Sequence, residues 1–187
     1  MTNKYSIKLS PRNPNKLQNL RVYLCGCMDR VPDGGVGWRR MIANYLTNKN
    51  VTVLDPSNKP IDIGIEDLEN REVRKKWKSD GDFDKVAESM KIIRNTDLRM
   101  VDLSDFLIVN LDLDHHPCGT YEELFLANRQ KKPIILRVEQ GKDNIPDWLL
   151  GTIPHEMMFS SWASVKKYLD FIDGGGTPGS RWMFFNL

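Results

Sequence analysis

Three polar clusters in this chain each follow a short apolar run, and together they hold most of the side chains able to do chemistry. The first is Gly26, Cys27 and Asp29. The second spans 55–58 and includes Asp55 and Pro56. The third spans 112–123 and runs from Asp112 through Gly119 and Thr120 to Glu123. Glu123 is expected in the first turn of a helix, where a carboxylate complements the macrodipole by about a few tenths of a kcal/mol. Gly119-Thr120 directly before it suggests a second use, because glycine lets a ligand approach the backbone and a helix start supplies free N–H groups. Asp97 stands eight residues before Asp105. It is either a surface carboxylate or a member of the same site, depending on how tightly its helix turns into the next strand.

Other constellations were weighed beside these. Cys25, Cys27 and Cys118 with His115 and His116 are borderline metal-ligand types. They contain no Cys-x-x-Cys pair, and we expect no metal; an odd count of three cysteines also argues against a disulfide scaffold. The turn Asp33-Gly34-Gly35-Val36-Gly37, ahead of Arg39 and Arg40, is either a plain glycine turn or a phosphate cradle. It lacks both the dinucleotide pattern and the P-loop lysine. There is no Gly-x-Ser-x-Gly elbow, and no Cys/His nucleophile pairing is spelled out.

The elements that must position these groups follow from periodicity. Strands are predicted at 20–26, 51–54, 105–111 and 133–138, with a fifth near 157–159. The run at 105–111 is almost continuously apolar, as in a parallel strand covered on both faces. Helices are predicted at 38–46, 65–77, 82–101, 121–129 and 163–172, with a short segment around 144–150. In the helix over 82–101, Val86, Met90, Ile93, Leu98 and Val101 form a one-sided stripe. Alternating strands and right-handed crossovers predict a doubly wound, flavodoxin- or Rossmann-like α/β fold of about five parallel strands, with ligands at the strands' carboxyl ends. All three polar clusters fall at such ends. We divide the chain into a polar leader (1–19), a single α/β domain (20–173), and a Gly-rich linker with an apolar tail (174–187) whose run at 182–185 needs burial.

Composition narrows the partners. The 187 residues carry 27 basic and 25 acidic side chains, a net charge of +2, with 40% hydrophobic residues. That is an ordinary globular balance rather than the basic stripe of a nucleic-acid binder. No apolar run is long enough to span a bilayer and the first residues lack a signal-peptide core, so a cytoplasmic protein without a membrane partner is expected.

In order and spacing, three segments resemble the nucleoside 2-deoxyribosyltransferase family over roughly residues 20–150: Val22-Tyr23-Leu24-Cys25-Gly26, Asp97-Leu98 through Ser104-Asp105-Phe106-Leu107-Ile108-Val109, and Gly119-Thr120-Tyr121-Glu122-Glu123-Leu124-Phe125-Leu126-Ala127. The resemblance implies that Glu123 is a nucleophile, that Asp97 contacts the nucleobase and that Tyr23 orients the nucleophile. Glu122 competes for the first role, but the family's Glu-Leu-x-x-Ala continuation fits Glu123. Substrate contacts are expected from Gly26, Asp29, Pro56, Asp112, Gly119 and Thr120, and Asn144 looks like an asparagine that reaches the sugar of a neighbouring subunit. The implied protein is a homo-oligomer that needs no metal or organic cofactor, takes a nucleoside or nucleotide and a nucleobase acceptor, and uses the oligomer to bury its apolar tail.

The implied reaction moves 2-deoxyribose between bases through a covalent glutamyl ester. Two alternatives stay open. One is a nucleoside 5′-monophosphate N-glycosidase, with water as acceptor and Arg30, Arg39 or Arg40 on the phosphate. The other is a non-catalytic nucleotide-binding module. The chain departs from the family at Pro117, followed by Cys118, where relatives carry an acid or serine whose place Asp112, Asp114 or His116 would take. It departs again at Phe125, which replaces a glycine and is expected to narrow the pocket.

Overall fold

The five apolar runs become β1 (Arg21–Gly26), β2 (Thr52–Leu54), β3 (Phe106–Leu111), β4 (Ile134–Val138) and β5 (Met158–Phe159). The computed structural model describes residues 15–59, 61, 63–64, 66–176, 179 and 181–182, apart from the side chain of Leu68. The strands form one sheet in the order β2-β1-β3-β4-β5, every neighbouring pair parallel. This is the doubly wound order, whose switch point between β1 and β3 leaves a crevice at the strands' carboxyl ends. The expected fold class is therefore the observed one. Val22, Leu24, Leu107, Ile108, Val109, Ile135 and Leu136 are buried at the centre of the sheet, as continuous apolar runs require.

Among the described residues six helices flank the sheet: α1 (Val36–Thr47), α2 (Leu68–Asp80), α3 (Phe83–Leu103), α4 (Cys118–Arg129), α5 (Asp147–Leu150) and α6 (Trp162–Asp173). The α1 and α6 helices share one face. There Trp38 stacks on Trp162 at 5.3 Å, and Tyr45 Oη donates to Asp170. The α3 and α4 helices pack together on the other face, with α2 outside α3. Among the described residues no helix is long and apolar enough to cross a membrane.

Two local details decide where the candidate residues on α3 and α4 lie. Pro117, with its fixed φ, starts α4 at Cys118, three residues before the helix start expected from the sequence. Gly119 and Thr120 are thus in the first turn and Glu123 in the second, so the macrodipole role expected of Glu123 does not hold. At the end of α3, Ser104 is extended (ψ 153°) and Asp105 N–H donates to Arg21 O at 2.7 Å. This tight turn brings Asp97 toward the sheet; Asp97 is buried on the same stripe as Ile93, Met100 and Val101.

Both ends of the described chain are tied to the core. Leu17 is fully buried, and its N–H donates to Asp173 Oδ1 at 3.1 Å, so 15–19 belong to the folded unit rather than to a loose leader. Residues 1–14 lie outside the described part. Trp182 is also fully buried, 5.4 Å from Phe106, with its indole N–H on Tyr168 Oη. This part of the tail is therefore covered by its own chain; Met183 to Phe185 lie outside the described residues.

Candidate active site

Tyr23 and Cys25 are two residues apart on β1, so their side chains leave the same face of the sheet, toward α4. Tyr23 Oη donates to Glu123 Oε1 at 2.8 Å, and Cys25 Sγ donates to Glu123 Oε2 at 3.0 Å. The two oxygens of one carboxylate are each held by a donor from the same strand. Burial and the nearby Glu123 charge raise both the Tyr23 phenol and the Cys25 thiol well above their usual pKa values. Both therefore stay protonated as donors, and Cys25 is not a thiolate nucleophile.

Glu123 itself is pushed up to about 7, chiefly by burial and further by the Asp97 charge, against the lowering effect of the hydrogen bonds from Cys25 and Tyr23. Asp97 is raised to about 6, again chiefly by burial, while Lys59 draws it down. Lys59 Nζ stands 2.8 Å from Asp97 Oδ1, and the lysine side chain is almost wholly buried. The same ammonium also donates to Gly64 O. Lys59 and the holding role of Cys25 are what sequence reasoning missed. Cys25 carried a signal in its i+2 spacing from Tyr23; Lys59 carried none.

These groups open onto a cavity of about 260 Å³, at the small end for small-molecule sites. Of the residues singled out in the sequence, Tyr23, Gly26, Asp29 and Pro56 line it from the β1 and β2 side. Asp97, Gly119, Thr120 and Glu123 line it from α3 and α4. Two do not. Asp112 lies in a neighbouring cavity, holding His115 Nδ1 at 2.8 Å and accepting from Gln140. Asn144 donates to Gln140 O at 2.7 Å, also outside the cavity of its own chain.

The adjacent glutamates differ in their partners. Glu123 is held inward by Tyr23 and Cys25. Glu122, also on the cavity wall, is exposed and accepts from Arg94 Nε at 2.8 Å, an ion pair that keeps its carboxyl below the usual range. Near Pro117, His116 lines the cavity whereas Asp114 does not. Phe125 does not narrow the cavity; it stacks on Tyr121 at 6.2 Å and packs on the core.

The glycine turn is not a phosphate cradle. Asp33 accepts from the N–H groups of Gly35 and Gly37, each at 2.9 Å, so those donors are already occupied. Arg39 is likewise unavailable: it is fully buried and donates to the carbonyls of Leu24, Gly26, Gly34 and Gly35. It clamps the end of β1 to the turn. Gly26 and Gly35 fit this clamp for steric reasons, since a Cβ on Gly26 would lie 2.9 Å from Asn110 O, and Gly35 has φ +70° with Arg39 Nη1 2.3 Å from a would-be Cβ. Cys118 is exposed at the start of α4, apart from the buried Cys25. Among the described residues no three His, Cys, Asp or Glu side chains converge as a metal site.

By sequence, the chain matches no family profile and no curated protein. By structure it is similar to the 2-deoxyribosyltransferase of the bacterium Bacillus psychrosaccharolyticus, with a TM-score of 0.54 and 17% identity over 79% of this chain and 91% of that one. The chain shares the fold of a 2-deoxyribosyltransferase. Weaker likenesses are to a 2-deoxyribosyltransferase of Leishmania mexicana (TM-score 0.44, 19% identity, 65% of this chain and 66% of that one) and to a Clostridium botulinum CMP N-glycosidase (0.42, 14%, 81% and 98%). The chain spans slightly less than two thirds of the Leishmania mexicana 2-deoxyribosyltransferase.

Proposed function

We propose that the protein breaks the N-glycosidic bond of a 2-deoxynucleoside or its nucleotide and passes the sugar to a second base. The observation that carries this reading is the Glu123 carboxylate, held through both oxygens by Tyr23 and Cys25 and opening onto a small cavity shared with Asp97. A carboxylate fixed in this way is aligned for in-line attack at an anomeric carbon, where an oxocarbenium-like transition state places positive charge beside it. The fold shared with a 2-deoxyribosyltransferase supports the same reading.

In the first step Glu123 attacks C1′, the C1′–N bond breaks, and its electron pair leaves with the base. Asp97, raised toward neutrality by burial, gives that base nitrogen a proton. The product is a sugar ester on Glu123. In the second step an incoming base attacks C1′, the ester bond breaks, and Asp97 takes back a proton. The buried Lys59 beside Asp97 favours its carboxylate form and so assists release of the proton to the leaving base in the first step. Water in place of the second base gives hydrolysis instead, and the free sugar or sugar phosphate.

The test is to incubate the protein with a panel of deoxynucleosides and their monophosphates, with and without a second base, and to seek a sugar adduct on Glu123 by mass spectrometry. Exchanged nucleoside, or free sugar, and an adduct lost in Glu123→Ala are expected, with turnover in that variant down at least about a thousandfold. Ligand binding without turnover, or a Glu123→Ala variant as active as the wild type, would overturn the reading.

A further inference from the structure

Beside the proposed reaction cavity lies a larger cleft, about 880 Å³, that the glycosyl chemistry does not use. Its walls carry five cationic side chains: Arg30 after β1, and Arg71, Arg74, Lys75 and Lys78 from α2. The four on α2 follow i, i+3, i+4 and i+7 spacing, so they form one stripe along a single helix face. The cleft is continuous with the cavity, because Asp29 and Met90 line both.

Nearby acids leave this charge largely uncompensated. Glu72 pairs with Lys75 at 3.7 Å, where both side chains are exposed, and Glu66 pairs with Arg74 at 3.5 Å. Among the described residues Arg30, Arg71 and Lys78 make no ion pair. Arg74 is 5% exposed. Its Nη1 and the Nε of Arg71 are buried without a hydrogen-bond partner. Buried guanidinium donors without acceptors are costly, and a phosphate is the acceptor that guanidinium geometry suits best.

We infer that this cleft seats a phosphate chain, so that the substrate is a nucleoside 5′-di- or triphosphate with its sugar in the cavity and its phosphates along α2. Length favours a chain over a single phosphate. Arg71 to Lys78 covers seven helical steps, about 10 Å, longer than one phosphate group. Two of the anion-binding features weighed in the sequence are already occupied, the glycine turn by Asp33 and Arg39 by backbone carbonyls. Placing the sugar rests on the proposed glycosyl chemistry; the anion site does not.

Binding of inorganic phosphate, pyrophosphate and tripolyphosphate to the wild-type protein is measured by calorimetry, which needs no turnover. Tripolyphosphate is expected to bind at least about tenfold tighter than phosphate, and to lose about tenfold or more per cation removed in the Arg71→Gln/Lys78→Gln double variant. The charge-keeping Arg71→Lys/Lys78→Arg variant is expected to retain binding. In turnover, a deoxynucleoside triphosphate should exceed its nucleoside at least about tenfold in kcat/KM, and that ratio should collapse in the double Gln variant. Equal binding of phosphate and tripolyphosphate, or equal binding by the double Gln variant, overturns the phosphate site. Charge-dependent tripolyphosphate binding without any turnover supports the site while the glycosyl reading fails. Turnover of free nucleosides with no gain from a triphosphate overturns the substrate assignment and leaves the glycosyl chemistry standing.

Discussion

The Cys25 thiol lies 3.0 Å from Glu123 Oε2, on the opposite oxygen from the one Tyr23 holds. Each of these donors favours the ionised carboxylate, and together they offset part of the burial that raises Glu123 to about 7. Removing either one should raise it further. Tyr23→Phe and Cys25→Ala are each expected to lower kcat/KM about tenfold at neutral pH and to move the acid limb of the pH–rate profile upward from about 7. Cys25→Ser keeps a donor and should keep the wild-type profile. Profiles that scale in height without moving would show that the two side chains do not tune Glu123.

The same buried carboxyl makes stability depend on pH. Glu123 has a usual value of 4.5 and is held near 7 in the fold, so between those limits the folded chain keeps a proton that the unfolded chain has released. Its contribution is fully present below the lower limit and is lost as pH rises through the upper one. Glu123→Gln does not titrate. It should therefore gain stability on the order of 2 kcal/mol over the wild type at pH 8, and little at pH 5. Asp97 acts in the same direction between 3.8 and about 6 and remains in both proteins. Urea denaturation at the two pH values checks this; a gain of equal size at both would exclude Glu123 as its source.

Arg39 holds the floor of the site by donating to four backbone carbonyls from a fully buried position. Arg39→Met leaves those carbonyls without their donors and should cost about 3 kcal/mol, read as a drop in the urea midpoint. Arg39→Lys should recover only a small part, because an ammonium cannot reproduce the planar fork. Full recovery by lysine would mean that its charge near Asp55, 3.7 Å away, matters more than its geometry.

Much of the fold was legible because each strand is a local apolar run closed by turn residues. All five predicted strands and the α/β alternation appear within a few residues of their expected bounds. The α4 start was misjudged by three residues, since Pro117 acts as a cap there rather than as part of the preceding loop. Within the site, Glu123 and Asp97 are paired by the family resemblance, since spacing alone leaves Asp97 undecided, and the partnership of Tyr23 with Cys25 follows from the period of a strand. Lys59 could not be, because its place beside Asp97 depends on how the loop after β2 reaches α3, a contact between residues 38 positions apart with no periodic trace in the chain. For the same reason the sequence alone could not exclude Arg39 as an anion binder. Residue type supplies a charge, but only packing decides whether that charge meets a carbonyl, a partner ion or open space. The sequence by itself determined the order of strands and helices and the polar ends of the strands, which are local properties. The tertiary structure decided which of those polar groups are occupied, by closing helices from distant parts of the chain over one edge of the sheet.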